Sequence, residues 1–88
     1  MVKIIVFGPG ADAGLYEELL SLARTVAAEY EGRVTLEEQE AWGERASALG
    51  IAGAPALAVN VDVVAVRALP SARYLMAAIE RHVARDKD

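Results

Sequence analysis

The chain opens with an almost continuous run of apolar, mostly β-branched residues over positions 2–7. Such a run predicts a strand that is buried on both faces and therefore lies near the centre of a sheet. Residues 8–14 follow as a glycine-rich turn, after which apolar side chains recur at helical spacing up to a stop at Gly32. The apolar positions of this first helix are Leu15, Leu19, Leu22, Val26 and Tyr30.

The middle of the chain predicts a weak strand and a second helix. Residues 33–37 have few strongly apolar positions, so we expect this strand at an edge of the sheet with its charged side exposed. Residues 38–49 predict a helix that stops at the following glycine, and the acidic residues at its start complement the helix dipole. Trp42 shares a face of this helix with Ala46 and Leu49, which favours packing in the core over a role as an interaction anchor.

The last third of the chain predicts a hairpin followed by a helix. Residues 55–59 and 63–66 are apolar runs separated by a short turn at residues 60–62, and we expect them to pair antiparallel. Ser71 is the expected N-cap of the last helix. Its inward stripe consists of Met76, Ile79 and Val83. A lone His82 on this helix has no partner expected for catalysis, so we interpret it as a surface or boundary residue.

The order of elements is thus strand, helix, strand, helix, strand, strand, helix. A strand-helix-strand unit pairs its strands in parallel through a right-handed crossover, whereas a hairpin is antiparallel. The sequence therefore predicts an α/β fold with a four-stranded mixed sheet that is covered by helices on both faces.

The length and the distribution of apolar residues limit the class of protein. A chain of 88 residues is expected to form one domain, spanning residues 1–88. No apolar run approaches the roughly 18 to 20 residues that a membrane span requires, so we expect no membrane association. Residues 1–3 lead directly into the first strand rather than into a signal peptide, which predicts a cytoplasmic location.

Charge and composition exclude several kinds of chemistry. The formal net charge of -4 disfavours nucleic acid and anionic lipid as partners. The sequence contains no cysteine, which excludes disulfides, thiolate metal sites and iron–sulfur clusters. With a single histidine, no cluster of metal ligands is visible, and we expect neither a metal nor a cofactor.

Residues 8–13 also fit the loose dinucleotide fingerprint Gly-X-Gly-X-X-Gly/Ala between a strand and a helix. However, Pro9 removes a backbone donor, and Asp12 adds negative charge beside the expected pyrophosphate position. The chain also has no second mononucleotide-binding half. These features disfavour a dinucleotide site.

Two local patterns accompany the predicted order of elements. The first is a strand that ends at Phe7-Gly8, followed by a turn and by a helix beginning near Leu15. The second is the segment 50–57, Gly-Ile-Ala-Gly-Ala-Pro-Ala-Leu, which leads into the third strand. Together they resemble the thioredoxin and glutaredoxin superfamily. The resemblance implies a minimal thioredoxin-like βαβαββα three-layer sandwich, in which Pro55 is the cis-proline that faces the active site.

The resemblance also indicates where a binding surface is expected. In small thioredoxin-like proteins the start of the first helix carries Cys-X-X-Cys, but the matching residues here are Ala11-Asp12-Ala13-Gly14. The chain therefore cannot perform thiol–disulfide exchange by itself, and we assign no catalytic residue. The expected groove is formed by Gly10, Ala11, Asp12, Ala13, Gly14, Ala54, Pro55 and Arg67, where Arg67 is included only because it follows the predicted end of the fourth strand. For Asp12 we prefer the role of helix N-cap to that of a functional carboxylate.

Two functions remain open at this point. The first is a non-redox module that binds a peptide or protein partner or acts as a scaffold, with the residue before Pro55 offering its backbone to an extended peptide. The second is an accessory of a thiol–disulfide or electron-transport system that docks a thiol-bearing partner without contributing a sulfur. A homodimer that forms through the weak second strand is a further expectation.

Overall fold

The computed structural model describes residues 2–30 and 32–86, and it contains the strands and helices in the predicted order. These elements are β1 (Val2–Gly8), α1 (Ala13–Ala28), β2 (Val34–Glu40), α2 (Glu44–Ala48), β3 (Ala56–Val59), β4 (Asp62–Val66) and α3 (Ala72–Asp86).

The four strands form one mixed sheet in the order β2-β1-β3-β4. β1 pairs in parallel with β2 and antiparallel with β3, and β3 pairs antiparallel with β4. The apolar β1 is therefore internal and the charged β2 lies at an edge, as the sequence predicts. The α/β class and the mixed four-stranded sheet are confirmed.

Alternate side chains of β1 enter two separate cores, which explains why its sequence is apolar almost throughout. Ile4 and Val6 pack in a larger cluster with side chains of α1 and α3. Ile5 and Phe7 pack in a smaller cluster with Ala46 of α2 on the opposite face of the sheet. Because successive side chains of a strand point to opposite faces, helices cover both faces of the sheet in three layers.

The predicted second helix is wrong over its first half. The parallel ladder between β1 and β2 continues to the pair Gly8↔Glu40, so residues 38–40 are strand. The helix α2 starts only at Glu44, after Gly43 as N-cap. Trp42 lies in the turn between β2 and α2 and is 70% exposed, so its interpretation as a core residue is also wrong. The helical spacing that suggested burial does not apply to a residue outside the helix.

The hairpin forms as predicted, and an asparagine replaces the missing turn glycine. Asn60 adopts a φ of 55°, in the left-handed region that asparagine tolerates better than most residues. Its Oδ1 accepts a hydrogen bond from the Lys3 N–H (2.8 Å), and its own N–H donates to the Lys3 carbonyl (2.9 Å). The turn is therefore held against the first residues of β1.

His82 is buried rather than at the surface, and this corrects the sequence interpretation. Its side chain lies on the inward face of α3 above the hairpin turn, with 5% exposure. Its Nε2 lies 2.6 Å from Asp62 Oδ2, and Asn60 Nδ2 donates to its Nδ1 (3.3 Å). The hairpin thus supplies the hydrogen-bond partners that a buried imidazole needs. These partners are distant in sequence, which is why helical spacing did not reveal them.

The last helix begins and packs as expected. Ser71 Oγ accepts a hydrogen bond from the Tyr74 N–H (3.1 Å), which confirms Ser71 as the N-cap. Ile79 and Val83 are buried in the larger core cluster, and Met76 packs partly buried against it. None of the helices in residues 2–30 and 32–86 is both long enough and apolar enough to cross a membrane.

Candidate binding surface

One end of the sheet gathers segments from four parts of the chain. β1 and β2 run in the same direction, β3 runs opposite to β1, and β4 runs opposite to β3. The carboxyl ends of β1, β2 and β4 therefore lie at the same end as the start of β3. We call the part formed by residues 9–14, 53–55 and 66–69 the sheet-end surface, and it contains every residue of the predicted groove.

The turn after β1 packs directly on the residue before Pro55. Gly10 has a φ of +67°, and a Cβ at this position would lie 2.7 Å from both the carbonyl carbon and the carbonyl oxygen of Ala54. Such an approach leaves no room for a side chain, so glycine is required here for both its conformation and its size. The Ala54–Pro55 peptide bond is cis, and so is Gly8–Pro9. The structure thus brings together the two segments that the sequence analysis paired.

Arg67 joins the same end of the sheet from β4. Its N–H donates to the Pro55 carbonyl (2.8 Å), and its φ is 54°. A Cβ added to Gly53 would lie 2.9 Å from Arg67 Nε, so the arginine side chain runs closely over the backbone of Gly53. Arg67 itself is exposed. Its guanidinium is consequently available at the surface beside the proline segment.

Asp12 caps α1. Its Oδ1 accepts a hydrogen bond from the Leu15 N–H (3.0 Å), and its carbonyl accepts one from the Tyr16 N–H (3.0 Å). A carboxylate at this position satisfies an otherwise unpaired N–H and interacts favourably with the helix dipole. The capping role is confirmed.

The predicted groove is only partly accessible. Residues 10–14 and Arg67 are exposed, whereas Ala54 is 4% exposed and Pro55 is fully buried. Gly10 covers Ala54, so a peptide could pair with the Ala54 backbone only after the turn had moved. The accessible part therefore consists of the turn and Arg67, while the proline segment supports them from beneath.

Two residues close to Arg67 in sequence expose apolar side chains. Val66 is 39% exposed and Leu69 is 47% exposed. A Cβ at Gly53 would lie 3.1 Å from Val66 Cγ1, so the valine lies over the same buried backbone as Arg67. The sequence pattern assigned Val66 only to a strand, and it did not indicate Leu69, which lies beyond the end of β4.

Tyr16 connects the start of α1 to β2. Its ring packs against Gly8, where a Cβ would overlap ring atoms, and its hydroxyl donates to Glu38 Oε1 (2.9 Å). Burial raises the pKa of Tyr16 above its usual value, and the hydrogen bond to the Glu38 carboxylate raises it further. The ring also packs against the larger core cluster, so its role is packing. Its bond to Glu38 was not predicted.

A second depression, which we call the β2 groove, lies along β2 and α2. It is lined by Glu38, Gln39, Glu40, Gly43, Glu44, Arg45 and Ala48. The sequence analysis interpreted the acidic residues before position 41 as a solvated helix start, which is wrong because they belong to β2. The neighbouring Glu37 has a buried Oε2 without a hydrogen-bond partner among the described residues. The β2 groove adjoins the sheet-end surface through the pair Gly8↔Glu40.

Comparisons with protein-family models and with curated proteins gave no match for this chain. Within residues 2–30 and 32–86, no group of three or more histidine, aspartate or glutamate side chains is arranged to hold a metal ion. The groups that the sheet-end surface exposes are its backbone, Arg67 and the side chains of Val66 and Leu69.

Proposed function

We propose that this chain is a cysteine-less, thioredoxin-like module that binds an extended peptide, or a flexible segment of a partner protein, at the sheet-end surface. The observation that carries the proposal is the packing of the exposed turn of residues 10–14 on the segment before β3, next to Arg67. Three segments that are far apart in sequence are thereby held as one surface.

The turn offers backbone groups to a partner because its side chains are small. Gly10, Ala11, Ala13 and Gly14 are exposed and carry no group larger than a methyl. Their N–H and C=O groups can approach an extended peptide closely, and main-chain hydrogen bonds supply affinity in this mode of recognition. Because the turn lies on the rigid ends of β1 and α1, little order has to be gained on binding.

Arg67 and its neighbours supply the polar and apolar contacts that backbone pairing lacks. A guanidinium has five N–H donors in a fixed plane and suits carbonyl or carboxylate oxygens of a partner. Val66 and Leu69, which are close to it in sequence, expose apolar side chains. Exposed apolar residues around a polar anchor are a common composition of peptide-binding surfaces.

The second function left open by the sequence, an accessory of a thiol–disulfide or electron-transport system, is supported by the family resemblance alone. No feature of the sheet-end surface favours a thiol-bearing partner over another protein, so we do not adopt it.

Amide chemical shifts during a peptide titration test the proposal. The probe is the uncharged peptide Gln-Thr-Gln-Val-Gln-Thr-Gln-Val with blocked ends, added to the ¹⁵N-labelled protein up to millimolar concentration. We expect shifts at residues 10–14 and at Arg67. Arg67→Gln should weaken binding, whereas Arg81→Gln, which alters an exposed arginine on α3, should not. Shifts that spare residues 10–14, or a lack of any shift, would refute the proposed surface.

A further inference from the structure

We propose that the β2 groove and the exposed Trp42 bind a positively charged, extended segment of the partner, which pairs with the outer edge of β2. This inference rests on the proposed function, because it adds a second surface at which the same partner is recognised.

Trp42 is exposed and belongs to neither core cluster. It is the only tryptophan of the chain, it is 70% exposed, and it follows the end of β2 directly. Glu40 and Gly43, on either side of it in sequence, both line the β2 groove. A tryptophan in this position offers a large flat face with little conformational entropy to lose, which is a frequent anchor in interfaces.

β2 has an outer edge that pairs with no other strand among the described residues. It is the first strand in the order β2-β1-β3-β4 and is seven residues long. A free edge presents N–H and C=O groups that an added strand can pair with. The β2 groove is lined by the last three residues of this strand and by residues of α2. An added strand that pairs with the end of β2 would therefore lie beside the groove.

The charges of the groove select the occupant. Its lining residues include Glu38, Glu40 and Glu44, of which Glu38 accepts a hydrogen bond from the Tyr16 hydroxyl, and one basic residue, Arg45. In the described part of the chain, no lysine or arginine forms a salt bridge with Glu40 or Glu44. Lysine or arginine side chains of an added strand would meet them, and one of those cations can also stack on the Trp42 face.

The same charges argue against a second copy of this chain as the occupant. Pairing two β2 edges would bring the carboxylates of Glu37, Glu38 and Glu40 in one copy against those of the other. Like charges on adjacent strands destabilise the pairing, and charged edges of this kind prevent self-association. The occupant is therefore a different chain, and it has to be basic.

Three peptides of matched length distinguish the inference from the proposed function. They share the sequence Xaa-Thr-Xaa-Val-Xaa-Thr-Xaa-Val with blocked ends, where Xaa is lysine, glutamine or glutamate. Trp42 emission reports binding at the groove, and amide shifts map the site. We expect the lysine peptide to bind most tightly, to change Trp42 emission, to shift amides of β2 and α2, and to be weakened by added salt.

Variants at the groove supply matched controls. Glu40→Gln with Glu44→Gln should weaken the lysine peptide about 2- to 25-fold, as expected for two exposed ion pairs. Glu18→Gln with Glu29→Gln removes two exposed carboxylates of the α1 region and should leave its affinity unchanged. Glu40→Lys with Glu44→Lys should reverse the preference, so that the glutamate peptide binds more tightly.

Several results would overturn the inference. Equal affinity for the lysine and glutamate peptides, or an unchanged affinity after Glu40→Gln with Glu44→Gln, would do so. The inference would also be overturned by self-pairing of β2. Its sign would be amide shifts in β2 that depend on protein concentration in the absence of peptide. If the lysine peptide leaves β2 and Trp42 unaffected while the glutamine peptide shifts residues 10–14, the inference fails and the proposed function stands. If neither surface responds to any of the peptides, both fail.

Discussion

The approach of Gly10 to Ala54 gives the sharpest test of the surface, because it joins two segments that are far apart in sequence. Replacing Gly10 with alanine places a methyl group 2.7 Å from the Ala54 carbonyl group. It also forces an alanine into a φ of +67°. A second glycine separates these two effects. Gly50 has a φ of +72°, but a Cβ there would meet no atom within 4 Å.

The two substitutions should therefore differ by the energy of the contact alone. A positive φ costs a non-glycine residue about 1–2 kcal/mol, and this applies to both positions. Overpacking against backbone adds about 1–3 kcal/mol at Gly10 only. We expect Gly50→Ala to lower the free energy of unfolding by about 1–2 kcal/mol and Gly10→Ala by about 2–5 kcal/mol. A domain of this size is stable by about 4–13 kcal/mol, so both losses are measurable.

Urea unfolding at 25 °C, followed by far-UV circular dichroism, measures both values. Because the slope of unfolding free energy against urea should stay constant between the variants, the difference in midpoint gives the difference in stability. If Gly10→Ala destabilises the protein no more than Gly50→Ala, the turn does not press on Ala54. The sheet-end surface would then not exist in the form described.

Three further predictions concern helix capping, the buried histidine and the response to pH. Asp12→Ala should lower the free energy of unfolding by about 0.5–2 kcal/mol, whereas Asp12→Ser should keep most of the stability of the unchanged protein, because serine also caps helices. Equal melting temperatures for all three proteins would argue against the cap. His82→Ala leaves a cavity and removes the hydrogen bond to Asp62, so we expect the free energy of unfolding in urea to fall by about 2–4 kcal/mol. A fall of less than about 0.5 kcal/mol would contradict the buried network. Tyr16 and Tyr30 have raised pKa values, chiefly because of burial. The folded state then binds their protons more tightly than the unfolded state, so their contribution to stability is complete below about pH 10 and is lost as the pH rises through the folded-state pKa values. Tyr16→Phe should make the fall in stability above about pH 10 shallower, and an unchanged slope would refute this assignment.

Much of the fold follows from local patterns because those patterns match the physical environment of each element. The apolar residues of β1 predicted a central strand, and the poor apolar content of the next strand predicted an edge. Asp12 and Ser71 marked two helix starts correctly, since a capping side chain acts on an N–H only three residues away.

The errors come from contacts that local patterns do not contain. The strand β2 continues to Glu40 because β1 provides a partner up to Gly8, and this pairing overrides the helical pattern of residues 38–49. His82 is buried because the hairpin, distant in sequence, supplies Asp62 as a hydrogen-bond partner.

The candidate site was also predicted only in part. The resemblance to thioredoxin-like proteins placed the turn and Pro55 at one end of the sheet, and the predicted end of the fourth strand placed Arg67 there; the structure brings the three together. It did not indicate that Gly10 covers Ala54, because the closeness of two loops depends on how both are packed. Trp42 and the β2 groove were missed for the related reason that their exposure depends on where the strand ends.

A spin-labelled peptide tests the central claim, that the sheet-end surface binds an extended partner segment, most directly. A nitroxide at the amino end of the glutamine peptide broadens the amide signals of nearby residues, and the ratio of signal intensities before and after reduction of the label measures this effect. We expect strong broadening at Gly10, Gly14 and Arg67 and little at the carboxyl-terminal half of α3. Equal broadening across the molecule, or broadening centred on α3, would contradict the account.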